Sequence, residues 1–169
     1  MIIRPETDDS DRAEIWKVNE EAFGRAVEAD LVDEIRASDR FVPELSLVAT
    51  VEEAIIGHVL LSYVEIEPGA HSVLQLGPLA VLPSHQRRGI GSALMNEAVR
   101  VSDVRGEPLI LLEGDPRFYE RFGFRRSDES GIEAPVGVDQ QYFMVRPLRA
   151  YEPALRGRAV YSEAFLKAG

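Results

Sequence analysis

The stretch that decides the fold reads Val73-Leu-Gln-Leu-Gly-Pro-Leu-Ala-Val-Leu82 and continues, after Pro83, as Ser84-His-Gln-Arg-Arg-Gly-Ile-Gly91. Its first part has the branched apolar residues of a β-strand. Gly77-Pro78 interrupts that strand at its centre, where proline cannot donate a ladder hydrogen bond. The strand is therefore an edge strand, a bulged strand or a strand opened for a ligand. A helix follows the loop, because apolar residues recur at helical spacing at Ile90, Leu94, Ala98 and Val101.

The loop between this strand and this helix has the chemistry of a phosphate site. The first amides of a helix lack internal acceptors, and the helix dipole favours negative charge there. Gly89 and Gly91 let a ligand approach the backbone closely, and Arg87 and Arg88 add positive charge at the rim. A glycine-bearing turn with two solvated arginines explains the same residues equally well.

Two common phosphate loops are excluded by their spacing. A Walker loop needs a lysine after its last glycine, and none stands here. A dinucleotide-binding fingerprint needs a third glycine where this chain has Leu94. The pattern that remains is a Gln or Arg, two further residues and then Gly-x-Gly after an interrupted strand.

The segments on either side predict a mostly antiparallel sheet. The uninterrupted apolar run Pro108–Glu113 predicts a central strand buried on both faces. Asp115 followed by Pro116 predicts the N-cap and first turn of a short helix that ends near Phe122. We expect 141–146 to form an exposed edge strand through which a dimer would assemble. The other predicted elements are strands at 1–4, 45–51, 55–66 and 124–126, helices at 11–23 and 27–38, and one short helix in the polar tail 149–169.

Composition narrows the function. The 169 residues fit one domain, and the absence of cysteine excludes disulfides, thiolate metal sites and a cysteine nucleophile. Three scattered histidines predict no metal site. A net charge of −10 argues against nucleic acid as a partner, and no apolar run reaches the roughly 20 residues of a membrane helix. Since the N-terminal residues also lack a secretory layout, we expect a soluble, cytoplasmic protein with no nucleic-acid or membrane partner.

Three signatures together resemble the GCN5-related N-acetyltransferase (GNAT) family. The loop Gln86–Gly91 is similar to the family's acetyl-CoA pyrophosphate loop, and Leu76–Pro83 is similar to its splayed fourth strand. Phe118-Tyr-Glu-Arg-Phe-Gly-Phe124 resembles its FYxxxGF signature, so the resemblance spans about residues 1–146. Gly114-Asp-Pro and the tail pattern Tyr161-Ser-Glu-Ala-Phe165 further resemble a bacterial subgroup whose substrates are mostly unassigned.

The resemblance implies an α+β (mixed α/β) fold of the GNAT type. Its central, twisted, mostly antiparallel sheet would have six to seven strands, with a splayed fourth and fifth strand pair, and about four helices would flank it. Residues 1–148 would form the acetyltransferase domain, with 149–169 as a tail packed on it. The implied activity is direct transfer of an acetyl group from acetyl-CoA, the cosubstrate, to a primary amine. The residues implied to bind acetyl-CoA are Leu79, Ala80, Val81, Gln86, Arg87, Arg88, Gly89, Ile90, Gly91, Ser92, Asp115, Phe118 and Phe122.

Two residues are implied to be catalytic. Tyr119 matches the family's general acid, which protonates the leaving thiolate, although a packed aromatic is its other reading. A primary amine with a pKa near 10.4 is almost fully protonated at neutral pH, so a base would lower the barrier. Glu113 is the candidate base, and we expect burial to raise its pKa. The subgroup often has an apolar residue at that position, so an ion pair between Glu113 and an arginine is the alternative.

Two functions of other classes are left open at this point. A non-catalytic acyl-CoA-binding or sensing module would use the same loop without a productive acceptor site. An acidic protein-interaction domain would carry Arg87 and Arg88 merely on a turn. The expected assembly is a monomer or a homodimer.

Overall fold

A single mixed sheet forms the centre of the molecule in the computed structural model, which describes residues 1–169. Seven strands follow one another across it in the order β1-β2-β3-β4-β5-β8-β6. β4 and β5 run parallel, whereas the other neighbours on this path run antiparallel. The strands are β1 (Ile2–Pro5), β2 (Phe41–Val51), β3 (Ala54–Glu67), β4 (His71–Val81), β5 (Leu109–Glu113), β6 (Arg125–Arg126), β7 (Ile132–Glu133), β8 (Phe143–Pro147) and β9 (Gly157–Val160).

Five α-helices cover the two faces of the sheet. They are α1 (Asp9–Phe23), α2 (Val27–Arg36), α3 (Ile90–Val104), α4 (Pro116–Tyr119) and α5 (Glu163–Ala168). Side chains alternate along β2, so Leu47 packs with α3 on one face while Val48 packs with α1 and α2 on the other. The helix α5 joins α1 and α2 on that second face. The predicted mixed, mostly antiparallel sheet with its flanking helices is confirmed.

The helix α1 begins two residues earlier than the sequence predicts. Asp8 is its N-cap and accepts hydrogen bonds from the backbone amides of Ser10 and Asp11. The carboxylate of Asp11 faces away from the cap and pairs with Arg4, with 2.7 Å between Oδ2 and Nη1. An acidic run therefore supplies both the cap and an anchor for the first strand.

The fourth strand contains a bulge at the Gly77-Pro78 interruption. Val59 lies opposite Leu79, but Leu61 lies opposite Leu76, so β4 has one more residue than β3 between these pairs. The parallel pairing of β4 with β5 is confined to two residue pairs, Leu74 with Ile110 and Gln75 with Leu111. Beyond Gln75 the two strands separate, which opens a wedge in the sheet.

The expectation of an exposed edge strand at 141–146 is wrong. β8 lies between β5 and β6, with Val145 opposite both Leu111 and Arg125. β8 follows β6 in the chain, yet it lies between β5 and β6, and the two-residue β6 forms the edge of the sheet. No local sequence pattern encodes this order of strands. This strand therefore gives no support to a dimer.

The tail contributes more to the fold than the one predicted short helix. Residues 157–160 form β9, which the sequence did not predict, and this strand pairs with both β3 and β7. The short helix is confirmed as α5, which packs beside α2, where Lys167 lies 3.3 Å from the carboxylate of Glu34. The division of the chain at residue 148 stays a prediction.

Candidate active site

A cavity of about 590 Å³ lies where β4 and β5 separate. Its walls come from four distant parts of the chain: the α1–α2 connection, the bulged part of β4, the segment from Glu113 to Tyr119, and the tail. The residues that line it are Phe23, Arg25, Glu28, Leu31, Gln75, Leu76, Gly77, Pro78, Leu79, Glu113, Gly114, Asp115, Tyr119, Tyr142, Tyr161, Phe165, Ala168 and Gly169. The bulge that the sequence predicts as one of its alternatives thus lies in the wall of this cavity.

The far end of β4 leads from this cavity to the amino end of α3. Leu79 lines the cavity, Ala80 points into the core below α1, and the carbonyl of Val81 accepts a 3.0 Å hydrogen bond from Gln86 Nε2. Gly89, with φ of +81°, is the N-cap of α3 and has no side chain to cap the helix. The first-turn amides of Ile90, Gly91 and Ser92 therefore lack helical acceptors and face outward.

The loop before α3 leaves room for a ligand. A Cβ at Gly89 would meet nothing within 4 Å, and one at Gly91 would meet only Val81, at 3.8 Å. Arg87 and Arg88 are exposed and form no ion pair with another side chain. Free amides, open space and two unpaired guanidinium groups together form an anion site.

An aromatic cluster beside α4 is tied to this anion site. Phe118 and Phe122 lie with their ring centroids 5.4 Å apart, and the Arg121 guanidinium lies over both rings at 4.4 and 4.8 Å. Arg121 Nη2 also donates a 3.3 Å hydrogen bond to Ser92 Oγ in the first turn of α3. The structure thus brings together Ser92, Phe118 and Phe122, and Arg121 links them.

Tyr119 enters the cavity from the α3 side of the sheet. Its ring packs against the core on that side and meets Phe118 edge-on, with centroids 4.9 Å apart. Its hydroxyl makes no hydrogen bond within the chain, and burial raises the pKa of this hydroxyl above its usual value. Tyr119 is therefore protonated at neutral pH and available to donate its proton.

Gly114 makes the position of Tyr119 possible. A Cβ on Gly114 would overlap the tyrosine ring, lying 2.9 Å from Cδ2 and closer still to Cε2. Next to it, Asp115 caps α4 by accepting a 2.9 Å hydrogen bond from the Arg117 amide. The Arg117 guanidinium also bonds to Asp115 and holds the pKa of that carboxyl below its usual value.

Glu113 lies on the face of the sheet opposite to Tyr119, and it is exposed where the sequence predicts a buried carboxyl group. It ends β5 as an exposed residue, so the predicted burial is wrong, because the strand leaves the core at this position. Its carboxylate pairs with no arginine, which corrects the alternative reading as well. Instead, Glu113 Oε2 accepts a 2.8 Å hydrogen bond from the Tyr161 hydroxyl, which the tail delivers.

Several residues that line the cavity were not predicted as site residues. Tyr161 and Phe165 stack with centroids 5.2 Å apart, and Gln75, Phe23 and Tyr142 line the same cavity. The tail pattern at 161–165 indicated only a resemblance to a subgroup, and the spacing of its two aromatic residues was the available signal for the site. For Gln75, the signal was a single amide within an otherwise apolar strand.

The described residues contain no group of three or more His, Asp or Glu side chains arranged to hold a metal ion. None of the helices is long and apolar enough to pass through a lipid bilayer.

A bulged strand that opens a parallel β4–β5 pair, followed by an uncapped helix with an anion site, defines an acetyltransferase-type architecture. A family model described as an acetyltransferase (GNAT) domain matches residues 43–126. The chain is 31% identical over 157 residues to the uncharacterized N-acetyltransferase YjhQ of Escherichia coli K12, covering 89% of this chain and 87% of YjhQ. It is also 33% identical over 137 residues to the uncharacterized N-acetyltransferase YhbS of that strain, covering 80% of each.

Solved structures agree with these sequence relatives. The crystal structure of YhbS from Escherichia coli in complex with CoA superposes with a TM-score of 0.91 at 27% identity, covering 99% of this chain and 93% of that one. A GNAT acetyltransferase from Brucella melitensis in complex with acetyl-CoA gives a TM-score of 0.80 at 32% identity, with 97% of both chains covered. The chain belongs to the GNAT family of acetyltransferases, as the sequence signatures predict.

Proposed function

We propose that this acetyltransferase binds acetyl-CoA along β4 and the amino end of α3 and transfers the acetyl group directly to a primary amine. The observation that carries the proposal is the cavity at the wedge. Tyr119 borders it from one face of the sheet and Glu113 from the other, so an acid and a base flank one opening. Direct transfer is accelerated when a base and an acid act at one carbonyl carbon.

The residues present fit acetyl-CoA. The amides of Ile90, Gly91 and Ser92 would hold its pyrophosphate, supported by Arg87 and Arg88 at the rim. The open backbone of β4 at Leu79 to Val81 would hold the pantetheine arm and direct the thioester to the cavity. The CoA and acetyl-CoA bound to the relatives from Escherichia coli and Brucella melitensis support the same ligand here.

The chemistry balances with the groups in the cavity. Bound acetyl-CoA supplies a thioester: the amine lone pair forms the new C–N bond, the C–S bond breaks, and the sulfur leaves with the bonding electrons. Glu113 takes the proton that the amine loses, directly or through water. Tyr119 gives its hydroxyl proton to the sulfur, and its raised pKa keeps that proton in place until then.

Calorimetric titration with acetyl-CoA followed by an assay of thiol release tests the proposal. We expect binding at micromolar concentrations and thiol release that depends on an added amine. Absence of binding at tens of micromolar would contradict it and favour a protein-interaction domain. Binding without thiol release from any primary amine would favour a non-catalytic acyl-CoA sensor instead. The cytoplasmic location and the monomer or homodimer assembly stay predictions.

A further inference from the structure

One residue that lines the cavity, Gln75, has a buried polar atom that forms no hydrogen bond within the protein. Gln75 is only 2% exposed, it lines the cavity, and its amide oxygen Oε1 has no hydrogen-bond partner. Leaving a buried acceptor unpaired is costly, and native proteins rarely do so without a purpose. Of the five buried side-chain atoms that lack a partner, this one belongs to a residue of the cavity wall, which makes it a candidate partner for a donor on a ligand.

Gln75 and Glu113 share one face of the sheet. Gln75 lies opposite Leu111 across the parallel pair, and Glu113 follows Leu111 by two residues, which places it on the same side of β5. Gln75 Oε1 and the Glu113 carboxylate are hydrogen-bond acceptors, and neither has a cationic partner in the chain. The two together match a protonated or neutral amine, which offers two or more donors.

Tyr161 fixes the carboxylate of Glu113. Its hydroxyl donates to Oε2 at 2.8 Å, while its ring packs edge-on against Phe143, the residue opposite Glu113 in β8. Burial, and then the bond to Glu113, raise the pKa of Tyr161, so this hydroxyl acts as a donor. The tail thereby orients one carboxylate oxygen and leaves Oε1 available to a ligand.

Most of the charge around the cavity is already neutralised. Glu28 is held by Arg25, whose Nε donates to both carboxylate oxygens at 3.0 Å. Asp115 is held by Arg117. Among the acidic side chains that line the cavity, Glu113 is thus the one that no arginine holds, and one such side chain matches one positive charge.

The remaining walls are apolar or aromatic. Phe23 and Leu31 line the cavity from the α1–α2 side, and Tyr142 and Phe165 line it from the β8 and tail sides. Rings and branched side chains favour a ligand whose body is apolar, and the ring faces also favour a nearby cation.

We propose that Gln75, Glu113 and Tyr161 form an acceptor subsite for a primary monoamine with an apolar, ring-sized body. The inference rests on the proposed function and specifies its substrate class. Polyamines and aminoglycosides bring several cations to a site with one acidic side chain that no arginine holds. An α-amino acid brings a carboxylate beside Glu113, where the two negative charges repel. Tyr161 is a positioning residue in this subsite, since it acts through Glu113.

Calorimetric titration of the CoA-saturated protein measures acceptor binding without turnover. We expect 2-phenylethylamine to bind about tenfold or more tightly than phenylalanine, which differs only by its carboxylate, and than spermidine. Glu113→Gln should lose about tenfold in affinity for 2-phenylethylamine. Glu152→Gln, an exposed carboxylate of the tail outside the cavity, is the matched control and should bind as the wild type does.

Two further variants separate recognition from folding. Gln75→Leu removes the unpaired acceptor, so its melting temperature should be equal or higher while its affinity for 2-phenylethylamine falls several-fold. Tyr161→Phe keeps the packed ring and should raise the KM for the amine about fivefold with an unchanged KM for acetyl-CoA. Tyr151→Phe, a tail tyrosine outside the cavity, is its control.

Equal binding of phenylalanine, or tighter binding of spermidine, would overturn the monoamine subsite. Unchanged amine affinity in both Gln75→Leu and Glu113→Gln would overturn it as well. Thiol release with kanamycin or spermidine but not with the monoamine would overturn the subsite while leaving the acetyltransferase function standing. If no amine gives thiol release, the proposed function fails, whatever the titrations of the CoA-bound protein show.

Discussion

The two sides of the wedge between β4 and β5 are built in different ways. On the α3 side, the cofactor half comprises the loop before α3 and the helix α4 with Tyr119, all between Pro83 and Tyr119. On the opposite side, the acceptor half assembles Gln75, Glu113 and Tyr161 with residues of the α1–α2 connection. The cofactor half is thus formed by one continuous segment of the chain. The acceptor half is formed by residues from several segments, so substitutions can alter it without altering the cofactor half.

Removing the acid on the cofactor side should have the largest effect. Tyr119→Phe keeps the ring packed against Phe118 but loses the proton donor, so kcat should fall about a hundredfold. The affinity for acetyl-CoA, measured by calorimetry, should stay within about twofold. An unchanged kcat would remove Tyr119 from the chemistry and leave it as a packed aromatic.

His58 is fully buried on the face of the sheet that α1 and α2 cover, and its titration should make the stability of the fold depend on pH. His58 lies between Asn19 and Ser46 at 3.1 and 3.0 Å, and burial, aided by the nearby Arg36 charge, lowers its pKa to about 3. In the unfolded chain the histidine has a pKa near 6.5, so below this pH it binds a proton that His58 does not bind in the folded chain. Stability is therefore full above pH 6.5 and is lost as the pH falls from 6.5 towards 3.

The size of this loss follows from the pKa difference. Between pH 7 and pH 5, His58 should cost the native state about 2 kcal/mol of unfolding free energy. Urea titrations at the two pH values should show this loss in the wild type and in His71→Gln, an exposed-histidine control. His58→Gln should lack it, and an equal pH dependence in the two variants would contradict a neutral, buried His58.

A substitution at Gly114 should displace the Tyr119 ring and lower kcat without removing any catalytic group. Gly114→Ala places a Cβ against the Tyr119 ring, so the ring must shift at a cost of about 1–3 kcal/mol in stability. We expect kcat to fall about tenfold. Combined with Tyr119→Phe, the substitution should add little to the loss of kcat, because both act on one group. Full additivity would show that Gly114 acts elsewhere.

The smallest effect is expected from the link between α4 and α3. Arg121→Ala removes the stacking on Phe118 and Phe122 and the bond to Ser92, together worth about 1 kcal/mol at an exposed site. The KM for acetyl-CoA should rise about threefold to fivefold, with the KM for the amine unchanged. A change confined to the amine would place Arg121 in the acceptor half.

The same contrast explains what the sequence predicts and what it does not. The Gly77-Pro78 bulge and the Gln86–Gly91 loop are short motifs whose residue types are dictated by local backbone needs, and the structure has both as predicted. Asp115 likewise caps α4 as its place before a proline predicts.

The misses all depend on partners remote in the chain. The insertion of β8 beside β5 is a choice among strand neighbours that alternation cannot encode. The exposure of Glu113 reflects where β5 leaves the core, and its pairing with Tyr161 reflects how the tail returns over the sheet. Strand β9 is four residues long and forms only because β3 and β7 offer it free edges.

Steady-state kinetics with both substrates varied, on Tyr119→Phe and Tyr161→Phe, tests the division of the site most directly. Tyr119→Phe should lower kcat and leave both KM values close to those of the wild type. Tyr161→Phe should raise the KM for the amine and leave the KM for acetyl-CoA unchanged. If both variants change the same constant, or if Tyr161→Phe changes the KM for acetyl-CoA, then the chemistry and amine binding are not separated between the two faces of the sheet.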